Sequence, residues 1–193
     1  MHTAGPFKVY CDMETDGGGW TVIQRRQDGS VEFYLPVFNY TQGFGVLDGE
    51  FWLGNDRLHR LTSQGVYQLR VELEDFQGNA AHALYDTFFV ADFFDFYRLS
   101  VGEYSGTAGD SLSVHSGKMF TARDLDRDDW AEGNCAEEFR GAWWYGACYK
   151  SNLNGAYQGG KYEGISWHAW KGTYEHLRRT EMKIRRKDTG VSP

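Results

Sequence analysis

Between Tyr67 and Glu74 the chain reads Tyr-Gln-Leu-Arg-Val-Glu-Leu-Glu, apolar and polar by turns. A strand with one buried face imposes that period, because successive side chains leave a pleated backbone on opposite sides. Shorter apolar patches at Phe7–Cys11, Trp20–Arg25, Ala83–Phe89, Tyr97–Val101 and Met182–Ile184 predict further strands. Together they predict a mostly antiparallel central sheet. Asn55–Thr62 predicts a short helix, with Asn55 as its N-cap and Leu58 and Leu61 on one face. Beyond about Gly102 the period dissolves into glycine, aspartate, serine and tryptophan, with no proline-rich linker before the change. That shift predicts a second, loop-built subregion packed on the first. The class is α+β.

Composition narrows the reading. At 193 residues the chain has the length of one domain with a real core. No run approaches the roughly 18 apolar residues of a membrane helix, so the chain reads as soluble. Met1-His-Thr-Ala enters domain sequence with no signal peptide visible, as in an expressed fragment. A formal charge of −7 and a pI near 5.3 argue against a nucleic-acid partner, which needs a basic face. Aromatic residues make up 17% of the chain; they supply core bulk, and exposed ones build apolar and sugar-stacking pockets.

The densest chemistry lies between Phe120 and Gly155. Asp124, Asp126, Asp128 and Asp129 crowd together, and either a hard dication or a solvated acidic turn answers their repulsion. An EF-hand does not fit. Counted from Asp124, the position that needs glycine holds Asp129 and the position that needs glutamate holds Cys135. Cys135 and Cys148 enclose twelve residues. Bridging a loop of that size contributes about 3 kcal/mol in the chain-entropy model. A zinc site needs about four ligands and tighter cysteine pairs, which are lacking, so these two residues read as a disulfide. Of the three cysteines, Cys11 is left without an evident partner. Asn39-Tyr-Thr41 is a glycosylation sequon in a polar, turn-rich stretch, consistent with secretion. The six histidines fall in no metal or triad spacing, and no nucleophile elbow or phosphate loop occurs. The chain does not read as an enzyme.

Several separated motifs, in order, resemble a fibrinogen-like domain, the module of fibrinogen, ficolins, tachylectins, tenascins and angiopoietins. They are Val9-Tyr-Cys11-Asp-Met13, Asp16-Gly-Gly-Gly-Trp20, Glu50-Phe-Trp-Leu-Gly54, Tyr104-Ser-Gly-Thr-Ala-Gly-Asp110, Ala142-Trp-Trp-Tyr145, Ser151-Asn-Leu-Asn-Gly155 and Glu181-Met-Lys-Ile-Arg185. The resemblance runs from about Pro6 to Arg185. It implies a domain over residues 6–186 with a central twisted antiparallel sheet and short helices. Residues 6–101 would form the N-terminal and sheet region, truncated at its start, and 102–186 a loop-rich calcium and recognition subregion. Cys11 pairs in that family with an upstream cysteine outside this chain, so here it should be a free thiol.

By the same resemblance, one structural calcium ion is held by Asp126 and Asp128 with backbone carbonyls of Trp130 and Gly133. The chain carries one extra residue between Asp128 and Gly133 relative to the usual pattern. An acetyl-binding pocket is implied next to that loop, around Cys148, with a cis peptide bond at Ala147–Cys148. Its lining falls on Phe139, Cys148, Tyr149 and Tyr162. The chain departs from the pattern in several places. Tyr149 replaces the common histidine, Phe139 lacks a hydroxyl found in some acetyl binders, and Thr173, beside Tyr174, replaces a tryptophan. Tyr162 matches only with one residue deleted before it, and Lys150 adds a positive charge. The implied function is a secreted, calcium-dependent, lectin-like module that binds acetylated or microbial glycans in innate pattern recognition, clustered through a stem absent from this chain. The alternative is a protein-binding module of the tenascin or angiopoietin type, for a receptor or matrix partner. Neither reading involves nucleic acid or a membrane.

Overall fold

The structure is a computed structural model, and it describes residues 5–158, 160 and 163–187. In chain order the first half gives β1 (Tyr10–Asp12), β2 (Trp20–Arg26), α1 (Val37–Gln42), β3 (Phe44–Gly45), β4 (Phe51–Trp52), α2 (Asn55–Thr62), β5 (Tyr67–Asp75) and β6 (Ala80–Tyr85). Next come β7 (Phe88–Val90), β8 (Leu99–Val101), β9 (Tyr104–Gly106), α3 (Cys135–Glu138), β10 (Ser151–Asn152), β11 (Ser166–Trp167), α4 (His168–Lys171) and β12 (Leu177–Arg186).

The main sheet runs β3-β4-β2-β12-β5-β6-β9, with β1 also pairing β2, and every pairing is antiparallel. The alternation in β5 works as expected: Leu69, Val71 and Leu73 are buried. The C-terminal strand lies at the centre, with Met182 opposite Val71 on one side and Gln24 on the other. It is longer than the Met182–Ile184 patch because its other face is built from charges. Lys183 pairs with Asp12 at 2.5 Å and Glu181 at 2.7 Å, and Arg25 pairs with Glu181 at 2.7 Å. Buried ion pairs hide the alternation from any reading based on hydropathy.

Five other expectations need correction. The Ala83–Phe89 strand breaks at Asp86-Thr87, and β7 leaves the main sheet to pair with β8. The first strand begins at Tyr10 rather than Phe7, and β8 at Leu99, because Tyr97 adopts a left-handed φ of 52°. α2 spans the expected residues, but its N-cap is Gly54 at φ 113°. Asn55 is instead buried and accepts a hydrogen bond from the Trp52 indole at 2.9 Å. A buried indole N–H needs an acceptor, and that demand outweighs the capping preference. The Asn39 sequon lies half-buried inside α1 rather than in an open turn.

The described residues between 107 and 165 carry little regular structure, yet they contribute Trp143, Trp144, Tyr145 and Leu153, all fully buried. This layer is pinned to the sheet by polar groups. Arg26 donates to the carbonyls of Leu153 and Gly155 at 3.1 and 2.6 Å, and Gln24 donates to Asn154 at 3.1 Å. Irregular backbone can be buried only where such partners satisfy its carbonyls. Among the described residues, no helix is long and apolar enough to cross a membrane.

Candidate functional site

The four aspartates divide by task. Asp124 accepts a hydrogen bond from the Val37 amide at 2.7 Å and so ties the loop to α1. Asp129 pairs with Lys118. Asp126 and Asp128 remain. The Asp126 carboxylate accepts from the Asp128 amide at 3.1 Å; the Asp128 carboxylate accepts from Trp130 at 2.9 Å and Cys135 at 2.7 Å. Burial, with the charge of Asp126 beside it, pushes the Asp128 carboxyl above its ordinary range, while the two backbone donors pull the other way. Two adjacent carboxylates that repel each other and retain free lone pairs suit a hard cation. No cluster of three or more His, Cys, Asp or Glu side chains exists among the described residues, so backbone oxygens must complete such a shell. At Gly133 a Cβ would sit 2.8 Å from the Trp130 ring, so the backbone there passes directly against that indole. The Asp126 and Asp128 carboxylates thus fit two ligands of a cation, and neighbouring backbone carbonyls would have to supply the rest.

A hydrogen bond and the disulfide link this loop to the segment carrying Tyr149. Asp128 holds the amide of Cys135, the first residue of α3, whose cap Asn134 accepts from Ala136 at 2.8 Å. Cys135 is bridged to Cys148, with Cα atoms 5.7 Å apart, and the Ala147–Cys148 peptide is cis. Tyr149 follows at once. Its ring meets Phe139 edge-on at 5.0 Å, Tyr145 at 6.2 Å and His168 at 5.1 Å. Phe139, Cys148 and Tyr149 are all half-buried, so the three converge on one partly open aromatic wall. Burial raises the Tyr149 phenol above its ordinary value, tempered by Ser166. Tyr162 lies outside the described residues, and Tyr174 is largely exposed.

Beneath the wall sits a polar floor that sequence reasoning missed. The Tyr145 hydroxyl donates to Asn152 at 2.8 Å, and Asn154 donates to the Ala142 carbonyl at 3.1 Å. Gly141 permits this closeness, since a Cβ there would lie 2.7 Å from the Tyr145 hydroxyl. His115 is buried, and its Nδ1 contacts the Trp144 carbonyl at 2.7 Å while Nε2 faces the amides of Lys150 and Ser151 at 3.1 and 3.3 Å. A carbonyl only accepts and an amide N–H only donates, which fixes a neutral ring protonated on Nδ1. Burial holds its pKa down to about 4, with the Trp144 carbonyl opposing that shift. The only signal for these residues was their place inside a motif-dense stretch.

A concavity of about 720 Å³ lies elsewhere, over the charged sheet face, lined by Cys11, Asp12, Arg25, Glu181 and Lys183 among others. There Asp12, Arg25, Glu181 and Lys183 satisfy one another in the ion pairs described above. Cys11 there is exposed and free.

The comparisons with known proteins identify the fold and the family. Residues 1–187 match the profile of the C-terminal globular domain of fibrinogen beta and gamma chains. The chain is 52% identical to human fibrinogen C domain-containing protein 1 over 95% of its own length and 42% of that protein's. It is 52% identical to human ficolin-3 over 92% of its own length and 60% of that protein's. It thus spans less than half of the first of these relatives. The fibrinogen-like globe domain of human ANGPTL2 superimposes with a TM-score of 0.90 at 46% identity, covering 93% of this chain and 86% of that one. With a family model matching nearly the whole chain and a superposition of that quality, this chain belongs to the fibrinogen C-terminal globular domain family.

Proposed function

We propose that the domain is a secreted, calcium-dependent recognition module that binds acetylated or other microbial glycans through Phe139, Cys148, Tyr149 and Tyr162. One observation carries this reading: the Asp126/Asp128 pair is linked, through the Cys135 amide and the Cys135–Cys148 bridge, to a half-exposed aromatic wall. An acetyl group offers a methyl and a carbonyl, and so needs an apolar wall beside a hydrogen-bond donor. Phe139 and Tyr149 supply the wall, and backbone amides beside Cys148 supply the donor. Calcium, bound by Asp126 and Asp128 with carbonyls of Trp130 and Gly133, would neutralise the carboxylates and order the loop that positions Cys135. Single sites of this kind bind weakly, so clustering several domains raises the effective affinity. Glycan attachment at Asn39 belongs to the same extracellular reading. A glycan array with and without chelator tests it: acetylated glycans should be retained in calcium and lost in EDTA.

A second reading, a protein-binding module of the angiopoietin or tenascin type, draws on a separate surface. Phe93 and Phe94 are 58% and 87% exposed and stack edge-on at 5.9 Å. Such paired exposed aromatics suit a protein interface. An array that retains no glycan in either buffer would favour this reading.

A further inference from the structure

Arg123 precedes the Asp126/Asp128 pair and Arg140 follows α3, yet their guanidiniums lie over one ring. Both are stacked on half-buried Tyr34, with Cζ at 5.2 and 4.6 Å from its centroid. Both arginines are exposed. Arg140 stands at φ 48°, a left-handed conformation that a residue other than glycine adopts at a cost and keeps only where its surroundings hold it. Its neighbour Phe139 turns to Tyr149 at 5.0 Å, so the two successive side chains serve different places.

Arginines elsewhere in the chain meet carboxylates. Arg25 meets Glu181 at 2.7 Å, Arg98 meets Asp95 at 2.8 Å, and Arg178 pairs with Glu74. Among the described residues, neither Arg123 nor Arg140 has a carboxylate within 4.0 Å, and neither side chain donates a hydrogen bond. The carboxylates beside them are held by backbone instead: Asp124 accepts from the Val37 amide at 2.7 Å, and Glu32 from the Tyr34 amide at 2.6 Å. In a chain of net charge −7 carboxylates are in excess, and these two cations still go without one. A guanidinium stacked on a ring keeps its planar edge of N–H donors for another acceptor.

We propose that Arg123 and Arg140, braced on Tyr34, clamp a phosphate monoester. Charge selects the anion. A phosphate monoester carries close to two negative charges at neutral pH and offers three acceptor oxygens, whereas a sulfate ester or a carboxylate carries one charge. Two guanidinium forks match the first. Stacking on Tyr34 restricts both side chains beforehand, so less freedom is lost when the anion binds. The shared chemistry is a terminal phosphoryl group, borne by a sugar or free in solution. The clamp uses neither the aromatic wall nor the Asp126/Asp128 pair, so it stands independently of the glycan reading.

The test follows the Tyr34 ring signals of the full, calcium-loaded chain by NMR during titration with glucose 6-phosphate, glucose 6-sulfate and inorganic phosphate. Glucose 6-phosphate should move them and bind about tenfold more tightly than the sulfate at neutral pH and low salt. That advantage should shrink to about twofold below pH of about 6, where the phosphate keeps one charge and the sulfate is unchanged. Arg123→Gln and Arg140→Asn lie at exposed positions, and asparagine tolerates a left-handed backbone. Each should bring glucose 6-phosphate down to the affinity of the sulfate. Inorganic phosphate names the source: tighter glucose 6-phosphate assigns the site to a sugar-borne phosphoryl group, equal or weaker glucose 6-phosphate to free phosphate, and either upholds the clamp. Equal affinity for the two esters, a preference that ignores pH, or no binding overturns it. So does a preference that survives both substitutions, as phosphate bound through calcium would.

Discussion

Acidifying the protein should weaken it through His115, by an amount the geometry sets. The imidazole is 1% exposed, donates from Nδ1 to Trp144 and accepts at Nε2 from two amides. A second proton would have to sit on Nε2, facing two N–H groups that can only donate. The folded pKa is therefore held at about 4, below the 6.5 of an unperturbed histidine. The sign follows: as pH falls, the unfolded chain takes up the proton first. The contribution is fully present above 6.5, declines between 6.5 and 4, and is gone below 4. At about 1.4 kcal/mol per pH unit, that interval amounts to about 3 kcal/mol. His168, also lowered by burial, acts in the same direction. Urea unfolding of wild type and His115→Gln across this range isolates the effect, because carboxylate titration is common to both. Wild-type stability should fall more steeply with acid than that of the variant. Parallel slopes, or a His115 nitrogen spectrum showing the Nε2–H tautomer at neutral pH, would refute the reasoning.

Calcium should raise the melting temperature, since a ligand bound only by the folded state stabilises it by mass action. Asp126→Ala and Asp128→Ala should abolish that shift, and Asp128→Ala should also cost about 1–3 kcal/mol in EDTA by freeing the Trp130 and Cys135 amides; identical melting of metal-free and calcium-loaded wild type would contradict both. Intact-mass alkylation without reductant should add one label per chain, at Cys11. Three labels would exclude the Cys135–Cys148 bridge.

Where hydrophobicity writes the structure, as in β5 and α2, the sequence was sufficient. Cysteine spacing supplied the bridge between Cys135 and Cys148, and motif order supplied the family and the free Cys11. Legibility ended where polar groups carry the burial. The central strand β12 turns Glu181 and Lys183 into an internal ion-pair layer, so only its Met182–Ile184 patch was visible. Similarly, His115 and Asn152 look like ordinary polar loop residues until the fold brings Trp144 and Tyr145 against them. In the acidic loop, residue type alone could not separate Asp124 and Asp129, committed to Val37 and Lys118, from the facing pair Asp126 and Asp128. Partner geometry makes that division.

The central claim is that calcium at Asp126 and Asp128 holds an aromatic wall that binds acetylated sugars. Titrating N-acetylglucosamine into protein carrying isotope-labelled tyrosine and phenylalanine tests it most directly. Signals of Tyr149 and Phe139 should move with millimolar affinity, about −4 kcal/mol, and return when EDTA is added. Signals that stay still at saturating sugar in calcium, or that move equally in EDTA, would contradict it.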